Sequence, residues 1–338
     1  MRWDELLGHQ LQRDWFTTAL ANQRLATSFL FVGPSGIGKR QFARLLAKSL
    51  LCRSSDSQRL EFCDACEDCA QVDASTHPDL LEVGKPADRA YIPIELLIGE
   101  REKRMREGLC HDISLRPYSG RRKIAILDDA DHLNVEGANC LLKTLEEPPV
   151  NSVLILIGSS LQRQLPTIRS RCQSILFQAL TTGQITELLT REVNAHGDDD
   201  AEAIIPRAKI PQLAAKSDGT LDRAMRLVNE DLQAFGEQLI SRIQQTPMPV
   251  SELAKEFGSV VDAAGKDNRA KRDRMRSLFE MAAEHFRGQT LGEGQGTDES
   301  SLRCWKRCLT AMEQVERNAN QAGLIEAWSY DIAGLSGR

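Results

Sequence analysis

The sequence predicts an α/β unit built on a parallel sheet, followed by an all-α region. Short apolar runs alternate with helical spacing up to about residue 178. A glycine-rich turn joins the first run to the first strongly periodic stretch. Beyond residue 178 the strand signal vanishes and helical spacing continues. Strands alternating with helices imply a parallel sheet covered on both faces.

Residues 1–27 are polar with a helical pattern, anchored by Trp15 and Leu20. Phe29-Leu30-Phe31-Val32 reads as a buried strand. After the turn, Phe42, Leu45, Leu46 and Leu50 recur at helical spacing. Lys123-Ile124-Ala125-Ile126-Leu127 is a second strand, ending in Asp128 and Asp129. Ala138 to Glu146 is a helix stopped by Pro148-Pro149. Ser152 to Ile157 and Ser174 to Phe177 are two further strands. Helices are expected over 183–194, 210–216, 221–244 and 250–286, with a loop at His196 to Asp200. Gly288 to Ser301, with Gly292, Gly294 and Gly296, reads as a flexible connector. No internal repeat is visible.

At 338 residues the chain is long enough for two or three domains. Its net charge of −5 excludes a global field that would draw it to nucleic acid or anionic lipid. Three local basic runs remain: Arg101 to Arg106, Arg121 to Lys123 and Lys266 to Arg276. Each reads first as a solvated face. No stretch approaches the ~18–20 apolar residues of a membrane span. The acidic pair Asp4-Glu5 argues against a secretory signal, so a cytoplasmic location is expected.

Gly33-Pro34-Ser35-Gly36-Ile37-Gly38-Lys39-Arg40 fits a phosphate cradle, Gly-x-x-x-x-Gly-Lys. Its glycines let backbone amides face phosphate oxygens, and the lysine adds a point charge. The next position usually carries a hydroxyl that holds magnesium; here it is Arg40. Asp128 and Asp129, at a strand end, are the candidate metal and water partners. Asp129 is one methylene shorter than the glutamate usual there.

Cys52, Cys63, Cys66 and Cys69 crowd into one segment of a chain with nine cysteines. In a reducing compartment that spacing suits a closed, structural zinc site. His77 reads as a capping or core residue rather than a fifth ligand. Cys304 and Cys308, one helical turn apart beside Trp305, read as packing.

Two segments carry a family resemblance. Asn139-Cys140-Leu141-Leu142-Lys143-Thr144-Leu145-Glu146-Glu147-Pro148-Pro149 is the stronger. Leu165-Pro166-Thr167-Ile168-Arg169-Ser170-Arg171-Cys172 is the second. With the four cysteines and Thr76-His77-Pro78-Asp79, they resemble the clamp-loader branch of the AAA+ ATPases, the bacterial DNA polymerase III subunits. The likeness covers roughly residues 5–230.

The resemblance implies three parts. Residues 1–178 would be an AAA+ domain with a five-stranded parallel sheet and a zinc module at 52–69. Residues 179–234 would be a helical lid, and 235–338 a helical collar for oligomerisation. It further implies a hetero-pentameric ring with gamma/tau and delta partners. Such a ring uses ATP to load a sliding clamp on primed DNA, with no membrane involved. Arg171 would then be an arginine finger for a neighbour's ATP site.

Three departures bear on the chain's own site. Arg40 replaces the hydroxyl and Asp129 the glutamate. The lid motif, usually Gly-x-x-Arg-x-Ala, reads Gly219-Thr220-Leu221-Asp222-Arg223-Ala224. Losing these groups while keeping Arg171 matches the delta-prime type of subunit, a stator with weak or lost ATP hydrolysis. Such a chain belongs to a DNA-directed DNA polymerase holoenzyme without being a polymerase. An active gamma/tau-type ATPase is the alternative. ATP and magnesium binding stay open at this point, because Gly33, Gly36, Gly38 and Lys39 remain.

Overall fold

The computed structural model describes residues 1–56, 58–86, 89–195, 205–265, 267–291, 299–317 and 319–336. The chain divides into two compact units, Met1–Ala224 and Met225–Arg338.

The first unit opens with α1 (Gln10–Ala21), β1 (Ser28–Val32), α2 (Lys39–Leu51), α3 (Glu67–Asp73) and β2 (Leu80–Val83). It continues with α4 (Ile94–Ile98), α5 (Leu109–Ser114), β3 (Lys123–Leu127), α6 (Val135–Glu146) and β4 (Ser152–Gly158). Then come α7 (Pro166–Arg169), β5 (Gln173–Leu176), α8 (Thr182–Ala195), α9 (Ile210–Lys216) and α10 (Leu221–Leu227), the last crossing the boundary. The strands form one parallel sheet in the order β2-β3-β4-β1-β5.

β1 is buried at every position and lies between β4 and β5. Its side chains alternate with the pleat. Leu30 and Val32 join Ala125, Leu127, Leu154 and Leu156 against Leu97, Ile113, Leu141 and Leu145 of the helices on one face. Phe29 and Phe31 point to the other face, where α1 and α2 pack. There Phe16 meets Phe29 at 5.1 Å, Phe31 meets Phe42 at 5.8 Å, and Phe177 lies 5.0 Å from Phe31. In a chain with only 5% aromatics, this concentration makes the α1–β1–α2 face the most tightly specified part of the unit.

α6 shows how local chemistry sets an element. Asn134 caps it, accepting from the Gly137 amide at 2.7 Å. Pro148-Pro149 prevents its continuation past Glu147.

The second unit contains α11 (Glu230–Ile243), α12 (Val250–Asp262), α13 (Asn268–Leu291), α14 (Glu299–Glu316) and α15 (Gln321–Ser336). Its core centres on Trp328, which lies 5.8 Å from Phe257 and 5.1 Å from Phe279. Cys304 and Cys308 are buried in that core as packing residues.

Several expectations need correction. β2 was not legible as a strand: it has four residues, an internal charge and an edge position. Phe16, not Trp15, is the fully buried anchor of α1. The expected helix over 221–244 is two helices, because Asn229 caps α11 by accepting from the Leu232 amide at 3.0 Å. The helix over 250–286 is also two, parted near Gly265, whose φ of +84° lies in the left-handed region. The connector is shorter than expected, since α13 runs to Leu291 and α14 begins at Glu299. Residues 292–298 and the loop at 196–200 lie outside the described residues.

Phe16→Ala is expected to destabilise the first unit by about 3–5 kcal/mol. Urea unfolding followed by tryptophan fluorescence checks this, and a loss under about 1 kcal/mol would contradict the packing described.

Candidate functional site

The glycine loop leaves β1 at its carboxyl end and enters α2. A Cβ on Gly33 would stand 2.3 Å from the Phe177 carbonyl oxygen, so only glycine fits that passage. Gly36 and Gly38 have φ of +73° and +95°, which glycine alone adopts without strain. Lys39 is buried and turned back on its own loop. Its Nζ donates to the Gly33 and Pro34 carbonyls at 2.6 Å each. Burial pulls the Lys39 amine down, against the opposing attraction of Asp128, Asp131, Asp222 and Asp129.

Two further contacts fix the loop. His9 Nε2 lies 2.6 Å from the Ile37 carbonyl, which requires the proton on Nε2. Burial lowers the His9 pKa, against the opposing pull of the hydrogen bond to Ile37. The Leu221 amide donates to the Gly36 carbonyl at 3.0 Å. The loop therefore keeps its shape through contacts within the protein.

Asp128 and Asp129 follow β3. Burial first, then repulsion from Asp129, raises the Asp128 carboxyl above its usual range. Arg40 faces this acid, with Nη1 3.7 Å from Asp128 Oδ2 and Nη2 3.6 Å from Glu82 Oε1. Arg44 makes a second, close pair with Glu82. A guanidinium thus stands beside the carboxylate that magnesium would need, and the hydroxyl ligand is missing. This donor set does not fit a magnesium site of the usual kind.

Asp222, at the lid position, lies directly on the loop. A Cβ on Gly36 would come within 2.4 Å of Asp222 Cγ. Arg223, the next residue, pairs with Asp218 at 2.6 Å.

The four cysteines converge at the C-terminus of α2 and the N-terminus of α3. Cys52, Cys63, Cys66 and Cys69 place their Sγ atoms within 4.8 Å of one another. Cys52 Sγ is 3.6 Å from that of Cys63 and 3.8 Å from that of Cys66. Tetrahedral zinc with ~2.3 Å Zn–S bonds needs sulfur separations of ~3.8 Å. The cluster can therefore hold a metal ion and is consistent with zinc. The amide of Ala65, then that of Cys66, helps lower the Cys63 thiol to about 6, whereas burial raises Cys69.

Polar groups brace this module. Arg121 donates to the Cys52 carbonyl at 2.5 Å and to the Arg53 and Ser55 carbonyls at 3.1 Å each. Buried Lys48 pairs with Asp64 and, at 2.6 Å, with Asp73. His77 is buried outside the cluster, its Nδ1 accepting from the Asp79 amide at 3.0 Å. Asp79 in turn accepts from the Tyr118 and Ser119 amides at 2.7 and 2.8 Å. The Arg121 to Lys123 run is thus not a solvated face: Arg121 holds the module, and Lys123 is buried 4.0 Å from Asp79.

Arg171 stands apart from both sites, two residues beyond α7. Its Nε and Nη2 donate to Glu146 Oε1 at 2.8 and 2.5 Å. Its Nη1 donates to the Thr167 carbonyl at 3.0 Å and Ser170 Oγ at 3.1 Å. Cys172 anchors the segment in the core, its thiol pushed up to about 12 by burial.

The structure thus brings Gly33, Gly36, Gly38, Lys39, Arg40, Asp128 and Asp222 together and gathers the four cysteines separately. Sequence reading missed His9, Glu82 and Asp131. It also missed Gln164, whose Nε2 donates to Asp131 Oδ1, and the pairing role of Glu146. Glu146 lies inside the Asn139–Pro149 run; the others carry no local signal.

Residues 8–181 match the family described as DNA polymerase III, delta subunit. The chain belongs to that family. It is 34% identical over 179 residues to DNA polymerase III subunit delta' of Bacillus subtilis, covering 53% of this chain and 50% of that protein. It is 32% identical over 242 residues to subunit delta' of Pseudomonas aeruginosa, covering 70% and 66%. It is 31% identical over 273 residues to subunit tau of Salmonella typhimurium, covering 79% and 38%. The chain therefore spans between about a third and two thirds of these relatives' lengths. No helix among the described residues is long and apolar enough to cross a membrane.

Elemental analysis of purified protein is expected to find about one zinc ion per chain, largely lost in Cys52→Ser. Zinc unchanged in that variant would remove the site. In metal-stripped protein at pH 7, Cys63 is expected to be alkylated first. It is exposed, and a pKa of about 6 leaves it mainly thiolate. Mass spectrometry finding Cys69 labelled before Cys63 would contradict this.

Proposed function

We propose that this chain is a delta-prime-like subunit of the DNA polymerase III clamp loader, acting as a stator. In this reading its own ATP hydrolysis is weak or lost. It supplies Arg171 as an arginine finger to a neighbouring ATP site, so that a ring with gamma/tau and delta partners can load the sliding clamp on primed DNA. The single observation that carries the reading is Arg40. A guanidinium 3.7 Å from Asp128 supplies the fixed positive charge that a hydrolysing site takes from a removable metal ion. The inward-turned Lys39 and Asp222 against Gly36 support it.

In the same reading residues 1–178 form the AAA+ domain, 179–234 the lid and 235–338 the collar. Zinc is structural, bound by Cys52, Cys63, Cys66 and Cys69. The chain works in the cytoplasm within the polymerase holoenzyme and is not itself a polymerase.

One observation favours the second reading, an active gamma/tau-type ATPase. The tau relative covers 79% of this chain, more than either delta' relative above.

Turnover of labelled ATP separates the two. The isolated chain with magnesium is expected to show little or none. Robust turnover abolished by Lys39→Ala would sink the stator reading. Arg171→Ala is expected to leave the chain folded and to reduce ATP turnover by the assembled complex at least tenfold. Unchanged turnover in that complex would refute the finger.

A further inference from the structure

We infer that Glu146 sets the apparent ATP affinity of the neighbouring site by competing with phosphate for Arg171. The inference rests on the finger reading above and concerns how that finger is kept before nucleotide arrives.

A guanidinium has five N–H donors in a fixed plane. Nη1 spends both of its own, on the Thr167 carbonyl and on Ser170 Oγ. Ser170 can accept because its own proton goes to the Thr167 carbonyl, 3.2 Å away. The edge formed by Nε and Nη2 is then the only one able to grip an oxyanion with two parallel bonds. Glu146 occupies that edge, receiving both donors on Oε1. One Nη2 proton is left without an acceptor among the described residues, enough for a single bond only. A two-bond grip on phosphate therefore requires Glu146 to leave.

Glu146 is suited to leave. It is the last residue of α6, where the helix carries partial negative charge and a carboxylate gains nothing. Its side chain is 51% exposed and that of Arg171 32%, so water screens the pair and it is weak. A phosphate carries more charge than a carboxylate and can take over the same edge. The nearby Thr167 and Ser170 contacts persist through the exchange and keep the guanidinium in plane. Glu146 is thus a stand-in anion: it holds the finger in register and raises the ATP concentration needed to engage it.

The test uses the reconstituted complex, with ATP turnover measured against ATP concentration. Glu146→Gln is expected to lower KM about two- to fivefold, the range open to an exposed ion pair, with kcat little changed. In an Arg171→Ala background the same substitution is expected to leave KM where it is. An unchanged or raised KM in the single variant would overturn the inference, as would a fall in kcat alone, which marks a residue needed in the engaged state. A lowered KM that persists without Arg171 would also overturn it. Should Arg171→Ala itself leave turnover intact, the finger reading fails first. Should Arg171→Ala lower turnover while Glu146→Gln leaves KM untouched, only the competition is wrong.

Discussion

The parallel pairing of β1 between β4 and β5 is the constraint on which the rest of the first unit depends. Parallel strands deliver their carboxyl ends to one edge of a sheet, and loops leaving that edge converge. The glycine loop leaves β1 there, and Asp128 leaves β3 two strands away. Phe177, just past β5, closes on Gly33 so tightly that no side chain fits between them. β1 holds this place because it is buried on both faces, through the aromatic cluster on one side and the aliphatic layer on the other. The site's geometry is thus a consequence of core packing.

That packing explains what could be read in advance. β1, β3 and β4 are continuous apolar runs because sheets covered on both faces demand them. β2 lies at the edge with Glu82 in its middle, so neither period nor composition marked it. The helix breaks near 229 and 265 depend on one capping side chain and one left-handed glycine, signals too local for a periodicity argument. The five strands implied by the family resemblance match those observed.

The site was legible in its residues and less so in its connections. The glycines, Lys39 and the four cysteines fall at fixed sequence spacings and Asp128 ends an apolar run, so sequence alone could nominate them. Glu82 opposite Arg40, His9 on Ile37 and Asp131 with Gln164 are contacts between distant segments. Only the fold creates them. The Arg121 to Lys123 run shows the same limit from the other side. A charge run usually means solvent, yet here one cation braces the cysteine module and another is buried beside Asp79.

The glycine loop and Arg171 are held in place by different sets of contacts. The loop draws its conformation from the Phe177 contact, the His9 and Leu221 hydrogen bonds and the Lys39 bonds to its own carbonyls. All of these contacts are made within the protein itself. Arg171 draws its position from α6, α7 and the buried Cys172. It shares no hydrogen-bond partner with the loop among the described residues. Side chains without common partners respond to mutation nearly independently. In this fold the glycine loop and the Arg171 segment are therefore two separately braced pieces of one sheet-based unit.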